Sequence, residues 1–204
     1  TLRLCYTAIH GEKIKNLITM VTPVDFQTKT NLLSLLARSV DVDLAVSTYG
    51  NIPGEILNNA YSSLMPMRLG IQKNIGMPNQ LYDKESALSF LRMEKWIYDS
   101  PDQAGEAFRE FIKWFFQQNR LIKNQLTIGE YPVRLANITL PVLNIYGAYD
   151  HLVPPEASIA LGQYIGSHDY QEEEVKAGHI GVFVSGKSQA IVPAKINQWL
   201  LERD

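Results

Sequence analysis

"LPVLNIYG" (residues 140–147) has the apolar run of a buried strand, and Asp150 and His151 follow it at once, with Pro154 and Pro155 fixing the exit. His179 stands 29 residues beyond Asp150, in "AGHIG", after a shorter and more polar strand pattern at residues 170–175. Between them lies one helical pattern, "PEASIALGQYIG", expected over residues 155–164. One helix and one strand between two loops places both side chains on neighbouring parallel strands at the same sheet edge. An aspartate beside a histidine can fix the imidazole tautomer and favour the imidazolium that forms when the ring takes a proton. Histidine titrates near neutrality, so it can accept a proton and return it. Gly178 and Gly181 let the backbone turn sharply around such a ring. Each residue also has an ordinary reading, Asp150 as a turn former or helix cap and His179 as a solvated loop residue. His151 could hydrogen-bond substrate or cap the turn.

The elements that would hold this pair alternate. "TLRLCYTAIHG" has helical spacing at Leu2, Leu4, Cys5, Ala8 and Ile9, with Gly11 as a stop. "IKNLITMVTPVDF" predicts a strand over residues 16–22, ended by Pro23 and covered on both faces. From Phe26 to Asn124 the pattern is mostly helical and broken by Pro53, Pro66, Pro78 and Pro101. There Ser100 suits an N-cap, Pro101 the first helical position and Gln103 a capping-box partner, with Ala104, Phe108, Phe111 or Ile112, and Phe115 on one face. "LTIGEYPVRL" predicts a hairpin. The last helix is expected over residues 193–201, with Val192, Ile196, Trp199 and Leu200 as its stripe.

Alternation of this kind implies a parallel α/β sheet, and the chain order acid then histidine is the one that α/β-hydrolases use. The expected division is the start of a partial α/β core at residues 1–25, a helical cap insertion at residues 26–137, and the carboxyl-terminal part of the core at residues 138–204. The insertion is too long for a loop, and it would cover the carboxyl ends of the strands.

In that fold the nucleophile stands on a G-x-[SC]-x-G elbow, earlier than the acid and the histidine. No such elbow occurs in the 204 residues. Cys5 lacks flanking glycines and reads as a small buried hydrophobe. Ser185 in "VFVSGK" comes after the histidine. The helix at residues 1–10 occupies the place that follows an elbow, so the elbow is expected immediately before Thr1, and this segment alone is expected to be inactive.

Composition excludes other classes. At 46% hydrophobic and 20% charged, the chain can bury a core, and its net charge of −2 gives no basic surface for nucleic acid. No apolar stretch approaches a membrane span, and no signal peptide opens the sequence. One cysteine precludes an internal disulfide and suits a reducing cytoplasm. His10, His151, His168 and His179 show no metal-ligand spacing, and no glycine-rich phosphate motif occurs.

The stretches "IKNLITMVTPVDF", "DVDLAVSTYGNIPGEILN", "FLRMEKWIYDSPDQAGEAFREFIKWFFQQN", "LPVLNIYGAYDHLVPPEAS", "AGHIGVFVSGK" and "WLLER" together resemble the catalytic subunits of class III polyhydroxyalkanoate (PHA) synthases. The resemblance implies an α/β-hydrolase core, partial here and with a mostly parallel sheet, under a helical cap. It also implies a Cys-His-Asp set in which Asp150 and His179 are the acid and the base. The family's cysteine lies in an elbow resembling G-x-C-x-G-G upstream of Thr1 and does not transfer to Cys5. The implied activity is acyl transfer from 3-hydroxyacyl-CoA to a growing polyester with release of CoA, the thioester being substrate and no cofactor resident. Implied partners are a second, non-catalytic subunit and other copies of the chain, at a cytoplasmic polyester granule. Trp96, Phe108, Phe111 and Trp114 would then exclude water from the acyl-enzyme. Two other readings are an α/β-hydrolase esterase or polyester depolymerase, marked by serine in the elbow, and a non-catalytic fragment acting in subunit association.

Overall fold

The computed structural model describes residues 1–64 and 83–203, so Pro66 and Pro78 lie outside the described residues. The chain forms two compact units, Thr1–Arg38 with Trp114–Asp204, and Ser39–Lys113.

The first unit is built on a parallel sheet of β1 (Leu17–Met20), β4 (Val142–Gly147) and β5 (Tyr170–Val175), in the order β1-β4-β5. Leu17 is paired with Val142, and Val142 with Tyr170. All six residues of β4 are buried, which is why it reads as an unbroken apolar run. β5 lies at the sheet edge among the described residues, where Glu172 and Glu174 are exposed and discourage pairing with another strand. β1 is shorter than expected. It stops because Val21 takes φ 42°, which turns the chain off the ladder. That conformation costs a β-branched residue about 1–3 kcal/mol.

Alternation along β4 sends Leu143 and Ile145 to one face and Asn144 to the other. On the first face they join Val21, Val175, Val182, Val192 and Trp199 in one buried cluster. Val192 and Trp199 come from the last helix, whose expected stripe is the one it buries. This helix spans Gly186–Leu201 and starts earlier than expected. Ser185 supplies the cap by accepting from Ser188 N–H, and Pro193 sits inside the helix.

On the other face Asn144 is wholly buried and uses both ends of its carboxamide. Its Oδ1 accepts from Thr19 Oγ1 at 2.8 Å and Ser158 Oγ at 3.1 Å. Its Nδ2 donates to Ser158 O and Tyr170 Oη, both at 3.1 Å. Thr19 is on β1, Tyr170 on β5 and Ser158 on the helix Pro155–Ile159, so one side chain pins the register of all three strands. Asn144→Leu, near in size but without these bonds, is expected to lower stability by about 2 kcal/mol through the partners left unpaired. Urea unfolding measures this.

This unit also holds α1 (Leu2–Ile9), α2 (Leu32–Ser39) up to Arg38, the short helices Leu161–Tyr164 and Gly181–Val184, and the hairpin of β2 (Thr127–Ile128) and β3 (Tyr131–Pro132). Gly129 turns that hairpin at φ 58°. Residues 26–38 and 114–137, expected in the insertion, pack with this unit instead. The cause is local. Phe26 is wholly buried against Phe115 and Phe116, with ring centroids 5.3 and 4.9 Å away. Asn119 accepts from Phe26 N–H and donates to Asp25 Oδ1, while Gln27 Nε2 donates to the carbonyls of Phe116 and Gln117.

The second unit holds α3 (Val42–Tyr49), α4 (Gly54–Leu64), α5 (Lys84–Tyr98) and α6 (Gly105–Phe111). Val42, Val46 and Ile52 form its buried cluster, with Phe108 and Ile112 packed against it. The expected cap at Ser100–Pro101 does not form, and α6 begins only at Gly105. The backbone of Gln103 pairs with Ile52, and Asp102 Oδ1 accepts from Gly54 N–H. These long-range bonds hold the residues a first turn would have used. Gly105 is required here, because a Cβ would stand 2.0 Å from Gly50 O. A π-helical turn at Ile112–Gln117 then rewinds the chain, so the aromatic stripe does not continue along one face. No helix among the described residues is long and apolar enough to cross a membrane.

Candidate active site

β4 and β5 end side by side, and their ladder continues into the loops that follow. Ala148 N–H donates to Val175 O at 2.8 Å, and Tyr149 N–H to Ala177 O at 3.1 Å. The backbone alone therefore brings the Asp150 and His179 loops together. Gly147 permits the approach. A Cβ there would stand 2.7 Å from Ala177 O and 3.1 Å from Val182 Cγ2. Sequence reasoning saw Gly147 only as the end of a strand. A glycine closing an otherwise bulky strand just before a carboxylate was the available signal.

The Asp150 side chain is fully buried, and that of His179 is 28% exposed. Asp150 Oδ2 lies 2.7 Å from His179 Nδ1. Asp150 Oδ1 accepts from Leu152 N–H and Val153 N–H, both at 2.9 Å. The turn reading and the site reading of Asp150 thus hold together, because one oxygen closes the turn while the other takes the imidazole. A buried carboxylate needs such partners, and three donors hold this one in place. With Nδ1–H given to the carboxylate, Nε2 carries the free lone pair and is the basic nitrogen. The turn exits through Pro154 into the helix Pro155–Ile159, with Pro155 at its first position.

Cys5 is wholly buried within α1, and burial pushes its thiol up to about 11. Such a group is the reverse of an activated nucleophile. Ser185 caps the last helix. The start of α1, by contrast, stands at the sheet edge that carries the pair. Thr1 Oγ1 donates to Pro23 O at 2.9 Å, and Pro23 follows the carboxyl end of β1. Strands in a parallel sheet share their carboxyl edge. His151 is half-buried. Of the aromatic residues expected to exclude water, Trp96 is 63% exposed, Phe108 packs in the second unit's core, and Trp114 carries the Arg120 guanidinium over its ring. Among the described residues no group of three or more His, Cys, Asp or Glu is placed to hold a metal ion.

A parallel sheet whose adjoining loops present an acid and then a histidine defines a class. The family described as having the alpha/beta hydrolase fold matches residues 1–185, and the chain belongs to it. Its curated homologues carry a narrower name. The chain is 54% identical over 200 residues to "Poly(3-hydroxyalkanoate) polymerase subunit PhaC" of Allochromatium vinosum, covering 98% of this chain and 56% of that protein. It is 49% identical over 210 residues to the protein of the same name from Synechocystis sp., covering 100% of this chain and 56% of that one. The likeness to PHA synthase subunits carried by the sequence motifs therefore extends along the chain, which spans about half the length of the curated relatives it matches. Among solved structures, a Mycobacterium tuberculosis protein described as a non-heme bromoperoxidase superposes with a TM-score of 0.55 at 15% identity, over 100% of this chain and 63% of that one. A Bacillus megaterium epoxide hydrolase gives 0.50 at 12% identity, over 98% and 65%. These two share the fold.

Proposed function

We propose that the chain is the carboxyl-terminal part of a PHA polymerase catalytic subunit, with Asp150 and His179 as two members of a Cys-His-Asp set. The observation that carries this reading is the 2.7 Å contact between Asp150 and His179, at the sheet edge where α1 begins. The thiol comes from an elbow before Thr1. His179 Nε2 takes its proton, and the thiolate attacks the thioester carbonyl of a 3-hydroxyacyl-CoA. The bond from carbonyl carbon to CoA sulfur breaks, and His179 gives its proton to the departing sulfur, so that CoA leaves as the free thiol and the imidazole is neutral again. The hydroxyl of another 3-hydroxyacyl unit then attacks the new enzyme thioester, giving its proton to His179. The ester bond forms and the enzyme thiol is released. Asp150 stabilises the imidazolium in both halves and keeps the ring in the productive tautomer. CoA thioester is substrate, and no resident cofactor takes part. The setting is a polyester granule surface in the cytoplasm, with other copies of the chain and a non-catalytic subunit as partners.

The test is CoA release from 3-hydroxybutyryl-CoA, followed by thiol titration, with the product examined as polymer or free acid. Full-length protein is expected to release CoA and make polymer. Residues 1–204 alone are expected to release none, and turnover by this segment would overturn the assignment of the nucleophile. Free 3-hydroxybutyrate as sole product from the full-length protein would instead favour the esterase reading.

A further inference from the structure

Thr1 is the N-cap residue of α1, yet it makes no side-chain capping bond. A threonine in that place ordinarily accepts from an amide of the first turn. Here the hydroxyl donates outward to Pro23 O at 2.9 Å. Pro23 belongs to a loop that is itself unusual. Val21 enters it at φ 42° while its amide still donates to Ile145 O at 2.8 Å. Among the described residues the other non-glycine positions with positive φ are Asn119 and Asn124, and asparagine tolerates that region where valine does not. The strained turn aims residues 22–25 across the carboxyl edge of the sheet. There Val24 N–H and Asp25 N–H both donate to Ala157 O, at 2.9 and 3.1 Å. Ala157 lies in the helix Pro155–Ile159, directly after the turn closed by Asp150.

We propose that residues 21–25 are a bracket that sets the start of α1 against the acid loop, with Thr1 as the positioning residue for the nucleophile that precedes it. This rests on the reading above that the thiol lies upstream of Thr1. The bracket touches the two segments that must agree in position. Pro23 O holds the chain entering α1, and the Val24 and Asp25 amides hold the helix leaving the acid turn. The strain at Val21 lies where the direction of the following residues is set. Thr1 does not touch substrate. Its hydroxyl acts through the backbone that carries the thiol, and small misplacement of a nucleophile is costly because attack needs close alignment.

The experiment uses the full-length protein with Thr1→Val, which keeps the shape and removes the donor, and Thr1→Ser, which keeps the donor. Thr1→Val is expected to lower kcat for CoA release about tenfold or more, with KM within about twofold, and Thr1→Ser to restore most of the loss. Amide hydrogen exchange reads the bracket without activity, and Thr1→Val is expected to speed exchange at Val24 and Asp25. Wild-type kcat in Thr1→Val overturns the proposal. So does an equal loss in Thr1→Ser, because shape and not the hydrogen bond would then be the cause. Thermal melts of both variants separate either result from unfolding. Should wild-type protein release no CoA while the exchange responds as expected, the activity reading fails and takes the positioning role of Thr1 with it, and only the hydrogen-bonded bracket stands. Should CoA be released while exchange at Val24 and Asp25 is unmoved by Thr1→Val, the bracket fails and the activity reading stands.

Discussion

Asp150→Asn in the full-length protein is expected to lower kcat for CoA release by about 10²- to 10⁴-fold with little change in stability. The geometry makes the direction of this effect firm. Oδ1 faces two backbone donors, Leu152 N–H and Val153 N–H, each at 2.9 Å. An asparagine must turn its oxygen toward them, because an amide NH₂ there would meet two other donors. Its Nδ2 then points at His179 Nδ1, where Oδ2 now stands at 2.7 Å. A donor in that place makes Nδ1 the acceptor and moves the ring proton to Nε2. The imidazole keeps its position and loses its base. The measurement is steady-state thiol release at saturating substrate, paired with a thermal melt. Wild-type turnover in the variant would remove Asp150 from the catalytic set.

Gly147→Ala is expected to cost about 3 kcal/mol of stability and, in protein that still folds, about 100-fold in turnover. The new methyl would stand 2.7 Å from Ala177 O and 3.1 Å from Val182 Cγ2. The first of these is backbone in the loop carrying His179, so relief requires that loop to withdraw from the Asp150 loop. Moving it breaks the bond from Tyr149 N–H to Ala177 O, and Val182 belongs to the buried cluster under the sheet. Stability and activity therefore fall together through one displacement. Urea unfolding gives the first quantity and CoA release the second. A variant as stable and active as wild type would show that the two loops do not depend on this contact.

Much of this protein is legible in its residues. β4 and β5 stand where their patterns predict, because an apolar run bounded by Gly147 and a short polar run ended before glycines are signals carried within a few residues. The pairing of Asp150 with His179 follows from the same local information, since a helical connection between two parallel strands leaves the following loops adjacent, although the expected helix over residues 155–164 is divided into Pro155–Ile159 and Leu161–Tyr164. Cys5 was read as buried and inert, and its burial and raised pKa agree.

The misses share a cause. Ser100, Pro101 and Gln103 carry a sound capping pattern, but Gln103 bonds to Ile52 and Asp102 to Gly54, partners about fifty residues away that no local window contains. Residues 26–38 and 114–137 look continuous with the helical insertion, and only the packing of Phe26 on Phe115 and Phe116 assigns them to the other unit.

The order of residues by itself determined the parallel strands, the helices between them and the meeting of one acid with one histidine, because each depends on periodicity and on the short reach of the chain. Tertiary structure alone decided where the two units divide, that both oxygens of Asp150 are committed, that Gly147 is the contact between the loops, and that Thr1 reaches across to Pro23. Those facts depend on distances between segments far apart in sequence, and such distances exist only once the chain has packed.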